Sequence, residues 1–230
     1  MAVSQNQSPV APALVVRPLT NFGPGDPGSV RAAFAAAAGC ELHQTWLPRP
    51  DEQFAPAQVR VGWRGNALLL FAELTDHDIF TRATAINQRM WELGDALEIF
   101  LKPAGAPGYY EYHVTPNNLH LQLAFPDAGA VHDLRRNGME KYLLAGDVFH
   151  SQTWVQSELN RWLVYAEIPA TALGSNLTTL AGQRWHFSFS RYDASRDGKS
   201  PVISSTSPHT KPDFHCQAEW GVLDFAAAAA

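Results

Sequence analysis

Cysteine is scarce: the 230 residues hold two, Cys40 and Cys216. A disulfide framework needs more, and a zinc site needs companion ligands at close spacing, so both are read as buried free thiols in preference to a bridge. Positive charge is also short. Lys and Arg number 17 against 22 Asp and Glu, the net charge is −5, and basic runs stop at pairs such as Arg135-Arg136. That balance argues against a nucleic-acid partner. No uninterrupted apolar run approaches the roughly 20 residues of a membrane-spanning helix, so no membrane partner is expected. The opening stretch, Met1 to Val10, has neither the charged nor the long apolar segment of a secretion signal, and it leaves the localisation unknown. Catalytic signatures are missing too. There is no Gly-x-Ser-x-Gly, no His-Glu-x-x-His and no Walker loop. Glu92 and Glu98 can be imagined as a glycosidase pair, yet nothing sets their separation, so no enzyme is read here.

What is present is a strand pattern. Short runs rich in branched and aromatic residues alternate apolar with polar, and clusters of Gly, Pro, Asn or Asp separate them. Ala57 to Trp63 and Ala67 to Thr75 flank the turn Arg64-Gly65-Asn66 and form a hairpin. Further strands are expected at 11–18, 41–47, 119–125, 151–157, 161–168, 185–192 and 220–225. Short helical segments are expected at 31–39 and 169–174, and the stretch 126–146 reads as loop with weak helical content. About ten strands and no long amphipathic helix predict a single all-β domain over residues 1–230. The architecture expected is an antiparallel β-sandwich, immunoglobulin-like or jelly-roll-like, with short helical turns. Residues 1–10 read as a flexible arm and 226–230 as a frayed tail. Trp63, Trp162 and Trp185 sit inside alternating strands and are assigned to the core.

The chain is organised around residues 91–118. Ala96, Glu98 and Phe100 alternate with Leu97, Ile99 and Leu101, and a Gly/Pro loop follows. Then Tyr110, Tyr112 and Val114 alternate with Glu111, His113 and Thr115. Successive strand side chains point to opposite faces, so this hairpin puts Glu98 and His113 on one polar face with Trp91 at its rim.

The same stretch, Trp91-Glu-Leu-Gly-Asp-Ala-Leu-Glu-Ile-Phe100 followed by Tyr109-Tyr-Glu111, resembles the family 9 carbohydrate-binding modules and their CBM9-like relatives in the DOMON superfamily. Three later motifs fit in order: Trp162-Leu-Val-Tyr-Ala-Glu-Ile-Pro169, Trp185-His-Phe-Ser-Phe-Ser-Arg-Tyr-Asp193, and Asp213-Phe-His215 with Trp220-Gly-Val-Leu-Asp-Phe225. The resemblance covers residues 57–225. It implies non-catalytic binding of a mono- or oligosaccharide, often in an extracellular or periplasmic setting. Two aromatic side chains would sandwich the ring while polar groups read its hydroxyls. Trp91 stands at the place of the first aromatic, and Phe214 is the nearest match to the second. Glu98 matches the strand carboxylate, and the family's sugar-facing arginine falls near His113. Arg191 either reaches the site or pairs with Asp193, and His215 is treated alike. Phe214 replaces a usual Trp, and His113 a usual Arg. The chemistry is coherent, because flat aromatic walls suit the C–H faces of a pyranose and a charged acceptor such as Glu98 suits its hydroxyls.

Asp76-His77-Asp78 offers oxygen ligands of the kind calcium takes, and some family 9 modules bind calcium; no other cofactor is called for. Two further readings stay open. DOMON relatives include domains that hold b-type haem through Met with His or Lys, and Met90 with His113, His209 or His215 offers such a pair. Alternatively, the sandwich has lost sugar binding and serves as an interaction domain, as the departures at His113 and Phe214 allow.

Overall fold

Each strand has one strongly apolar side, and two sheets bury those sides against each other. The structure is a computed structural model that describes residues 10–227; the expected arm up to residue 9 and the tail beyond residue 227 lie outside the described residues. One sheet holds β1 (Ala13–Val16), β5 (Ala96–Pro103), β6 (Tyr109–Val114), β7 (His120–Phe125), β10 (Arg184–Asp193), β11 (Val202–Ser205) and β12 (Gly221–Phe225). Its order is β1-β12-β10-β5-β6-β7, with β11 also paired to β10. The other holds β2 (Ala38–Glu41), β3 (Ala57–Arg64), β4 (Ala67–Thr75), β8 (His150–Gln156) and β9 (Arg161–Pro169), in the order β2-β3-β4-β9-β8. Among these strand pairs only β1 and β12 run parallel, from Ala13 opposite Val222 to Val16 opposite Phe225.

Between the sheets, Leu97, Ile99, Leu101, Phe187 and Phe189 meet Val61, Leu70, Trp162 and Val164. Burying each such side chain contributes about 1.5–3 kcal/mol. Trp63, Trp162 and Trp185 are buried there, as their strand positions require. The fold is thus the expected antiparallel sandwich, with twelve strands described.

Three short α-helices cover its faces: α1 (Pro27–Ala33), α2 (Met90–Leu93) and α3 (Ala130–Asn137). The helix expected over 31–39 starts earlier. Asp26 caps α1 by accepting the Ser29 N–H at 2.7 Å, and Pro27 opens the first turn. Val30 and Phe34 then cover Leu69, Phe71 and Tyr165 on the outer side of the second sheet. The Ala-rich remainder leaves the helix, and β2 begins at Ala38 rather than near 41. One element was expected only as weak helical content, and another not at all. α3 lies inside the 126–146 stretch, and β11 hides in a polar run because Ser205 hydrogen-bonds Ser188 and Ser190 instead of burying apolar surface. Cys40 and Cys216 are both free, but half-buried rather than buried.

Candidate ligand-binding cleft

The outer face of the first sheet carries the polar residues of the β5–β6 hairpin. Pairing sets Glu98 directly opposite His113 and Phe100 opposite Glu111. Glu111 and His113, two apart on β6, share that face. His113 Nε2 lies 2.6 Å from Glu111 Oε1 and 3.3 Å from Glu98 Oε1, and none of the three side chains is more than 5% exposed. Trp91 packs on His113, with ring centroids 5.6 Å apart. Above them opens a cleft of about 180 Å³ lined by Trp91, Glu98, Phe100, Glu111, Tyr192, Phe214 and His215, with Leu134 and Arg135 of α3 at one side.

Local backbone chemistry puts Trp91 there. α2 is a single turn, and Gly94 follows it with φ at 145°. A Cβ at Gly94 would meet the Phe80 carbonyl oxygen at 2.5 Å, so glycine is required on both counts. Next to it Asp95, fully buried, accepts the Phe80 and Ala194 N–H groups at 2.6 and 2.8 Å. It thereby ties the 76–89 loop and the end of β10 to the start of β5. Burial, reinforced by nearby Asp76, pushes the Asp95 carboxyl up to about 8.

The cleft's own charges follow from burial and pairing. Burial pushes Glu98 up to about 8 against the pull of His113. Burial would also raise Glu111, but its bond to His113 and the proximity of His215 hold it below the usual carboxylate range. Burial alone would lower His113, and the two carboxylates raise it instead. These directions describe a Glu111–His113 ion pair beside a protonated Glu98. Nothing described donates a hydrogen bond to Glu98; its 3.3 Å approach to His113 is electrostatic only.

His215 is half-buried, and desolvation holds it below its ordinary value, hence neutral. Burial keeps the Tyr109 hydroxyl protonated, and it shares a hydrogen bond with His215 Nδ1 at 2.9 Å. The other ring nitrogen, Nε2, stands 3.8 Å from Glu111 Oε2. Phe214 is held through its carbonyl oxygen, which accepts the Trp220 Nε1–H at 2.8 Å. Its ring packs among Phe100, Tyr192 and Trp46, and only 6% of the residue is exposed. Phe214 is therefore part of the wall more than a free stacking face.

Of the six expected residues, Trp91, Glu98, Phe214 and His215 line the cleft and His113 lies beneath it. Arg191 does not. It follows Trp185, Phe187 and Phe189 by the strand period of two, so it faces the interior. There it pairs with Asp76 and Asp193, each at 3.1 Å, the second of the alternatives the sequence left open. Sequence reasoning passed over Glu111, Tyr192 and Arg135. For two of them the signal was the same parity: Glu111 shares the His113 face, and Tyr192 shares the face of Ser188 and Ser190.

The carboxylates expected for calcium already hold guanidinium groups. Asp76, Asp95 and Asp193 come close enough to ligate one ion. However, Arg191 sits on Asp76 and Asp193, and Arg196 pairs with Asp78. The donor set therefore does not fit calcium. Glu98, Glu111 and His113 are equally close-set, but at 2.6 Å the His113–Glu111 contact is a hydrogen bond rather than a pair of metal ligands. The haem reading also fits poorly. Met90 is fully buried, His209 is bonded to Glu219 and His215 to Tyr109. The cleft, at about 180 Å³, is smaller than the ~300–1,000 Å³ of pockets for larger ligands. A roomier groove of about 480 Å³ lies near Glu41, Phe54 and Glu73, but Glu73 is neutralised there by Arg31 and Arg161.

No protein-family model matches the sequence, and no curated protein does. Solved structures do match it. A protein from Bacteroides uniformis assigned to carbohydrate binding is similar, with a TM-score of 0.72 and 18% identity over 93% of this chain and 99% of that one. A family 9 carbohydrate-binding module from Caldicellulosiruptor kristjanssonii, solved with cellotriose, gives a TM-score of 0.62 and 15% identity over 94% of this chain and 95% of that one. The same module solved with glucose gives 0.62 and 15%, covering 94% and 96%. At these identities the likeness shows the fold, and the fold is CBM9-like.

Proposed function

We propose that the cleft between Trp91, Tyr192 and Phe214 binds a sugar without acting on it. The observation that carries this reading is Glu98. A carboxyl buried to 3% exposure, with no hydrogen-bond donor of its own, lies beneath a half-exposed tryptophan in a cleft of about 180 Å³. That room suits a single ring, such as the end of a chain. Sugar complexes of a module with the same fold support the choice of ligand. A hydrogen bond between a sugar hydroxyl and the Glu98 carboxyl would contribute roughly 0.5–1.5 kcal/mol. No catalytic partner is assigned: Glu92 is half-exposed and pairs with Arg89.

Tryptophan fluorescence during titration with mono- and oligosaccharides tests the reading. A saturable change is expected, and Trp91→Ala should abolish it. No response to any sugar in the panel would move the function to a protein-interaction domain.

A further inference from the structure

The cleft floor is rich in carboxyl oxygens that lack hydrogen-bond partners. Glu98 accepts no hydrogen bond from the described residues. Glu111 gives one oxygen to His113 at 2.6 Å, and its other oxygen stands 3.8 Å from His215, beyond hydrogen-bonding distance. Both residues line the cleft, so three carboxylate oxygens lack a donor where a ligand would sit. Arg135, the guanidinium at the mouth, is already bound to Asp213 at 2.9 Å. His113 is committed to Glu111 and stands farther from Glu98. The walls include the rings of Trp91, Phe100, Tyr192 and Phe214. Aromatic faces attract cations, and a carboxylate beside them strengthens that preference.

We propose that the cleft selects a sugar carrying a free amino group, with its ammonium seated on Glu98 beneath the aromatic walls. This rests on the sugar-binding reading above and narrows it to a ligand class. A neutral sugar offers the same oxygens hydroxyl donors but no charge. Bonds between two ions are stronger than their neutral counterparts, so the amino sugar gains where the neutral one does not. Burial keeps Glu98 protonated in the empty cleft, and an arriving ammonium favours its charged form.

Calorimetric titration of the whole chain with matched pairs tests this: glucose against glucosamine, and galactose against galactosamine, at about pH 6.5 where the amines are protonated. N-acetylglucosamine serves as the uncharged control. In at least one pair the amino sugar should bind about tenfold tighter, and acetylation should remove the gain. Glu98→Gln should bring the ratio within a pair to about one. Equal binding within both pairs, or a preference for the neutral sugars, overturns the proposal and leaves sugar binding standing. A gain that survives Glu98→Gln removes the seat assigned to Glu98. Binding of no sugar at all overturns both readings. The comparison of sugars needs only the natural chain, so it decides the matter even where Glu98→Gln fails to fold.

Discussion

Glu98 and Arg191 show how differently two buried charged residues behave. The folded chain holds the Glu98 proton more tightly than an unfolded chain, raising the group from 4.5 to about 8. Its contribution to stability is therefore full below about pH 4.5 and is lost as the pH rises through about 8. His113, also raised, acts with the same sign. Glu111, held low, acts with the opposite sign and only at the acid end. The urea midpoint is expected to fall between about pH 5 and about pH 8.5, and Glu98→Gln should flatten that fall. A natural-sequence midpoint that stays level across this window contradicts the account. Arg191 is the reverse case, a guanidinium satisfied by Asp76 and Asp193 in the interior. Arg191→Met would strand two carboxylates and is expected to cost about 3–5 kcal/mol in urea unfolding. The sugar response of the protein that remains folded should not change, because Arg191 lies on the face away from the cleft.

At the scale of elements, the single turn α2 sets the height of Trp91 over the sheet. Gly94→Ala places a methyl against the Phe80 carbonyl and forces φ out of the region only glycine tolerates. A loss of about 1–3 kcal/mol is expected, with a weaker fluorescence response to sugar than the loss of stability alone produces. Strand periodicity made much of this layer legible in the sequence. The β5–β6 hairpin, the shared face of Glu98 and His113, and the three core tryptophans all follow from alternation. The same rule, applied to β10, separates Arg191 from Tyr192 and would have exchanged one for the other as a cleft residue. Other features were not legible. α3 is only eight residues long and buries just Ala130 and Val131, so few apolar positions mark it as a helix. The burial of Phe214 depends on Trp46, Phe100 and Tyr192, which are far from it in sequence and meet it only through the tertiary fold on the outer face of the first sheet.

The molecule as a whole rests on its inter-sheet core rather than on covalent staples. Phe187→Ala, at the centre of the first sheet, is expected to cost about 3–5 kcal/mol. A reductant should leave the thermal midpoint unchanged, since both cysteines are free; a drop would reveal a bridge that the fold does not contain. Burial pushes the Cys40 thiol up to about 12, so alkylation there should be slow in the folded state. The parallel pairing of β1 with β12 has a mechanical consequence. A tensile load applied at Ala13 and at Phe225 runs along the two strands in opposite senses. The bonds between them are then strained together in shear instead of opening one after another like a zip. Such a clamp yields at higher force than a hairpin pulled apart from its open end, and its rupture is the event that exposes the rest of the sandwich to stretching.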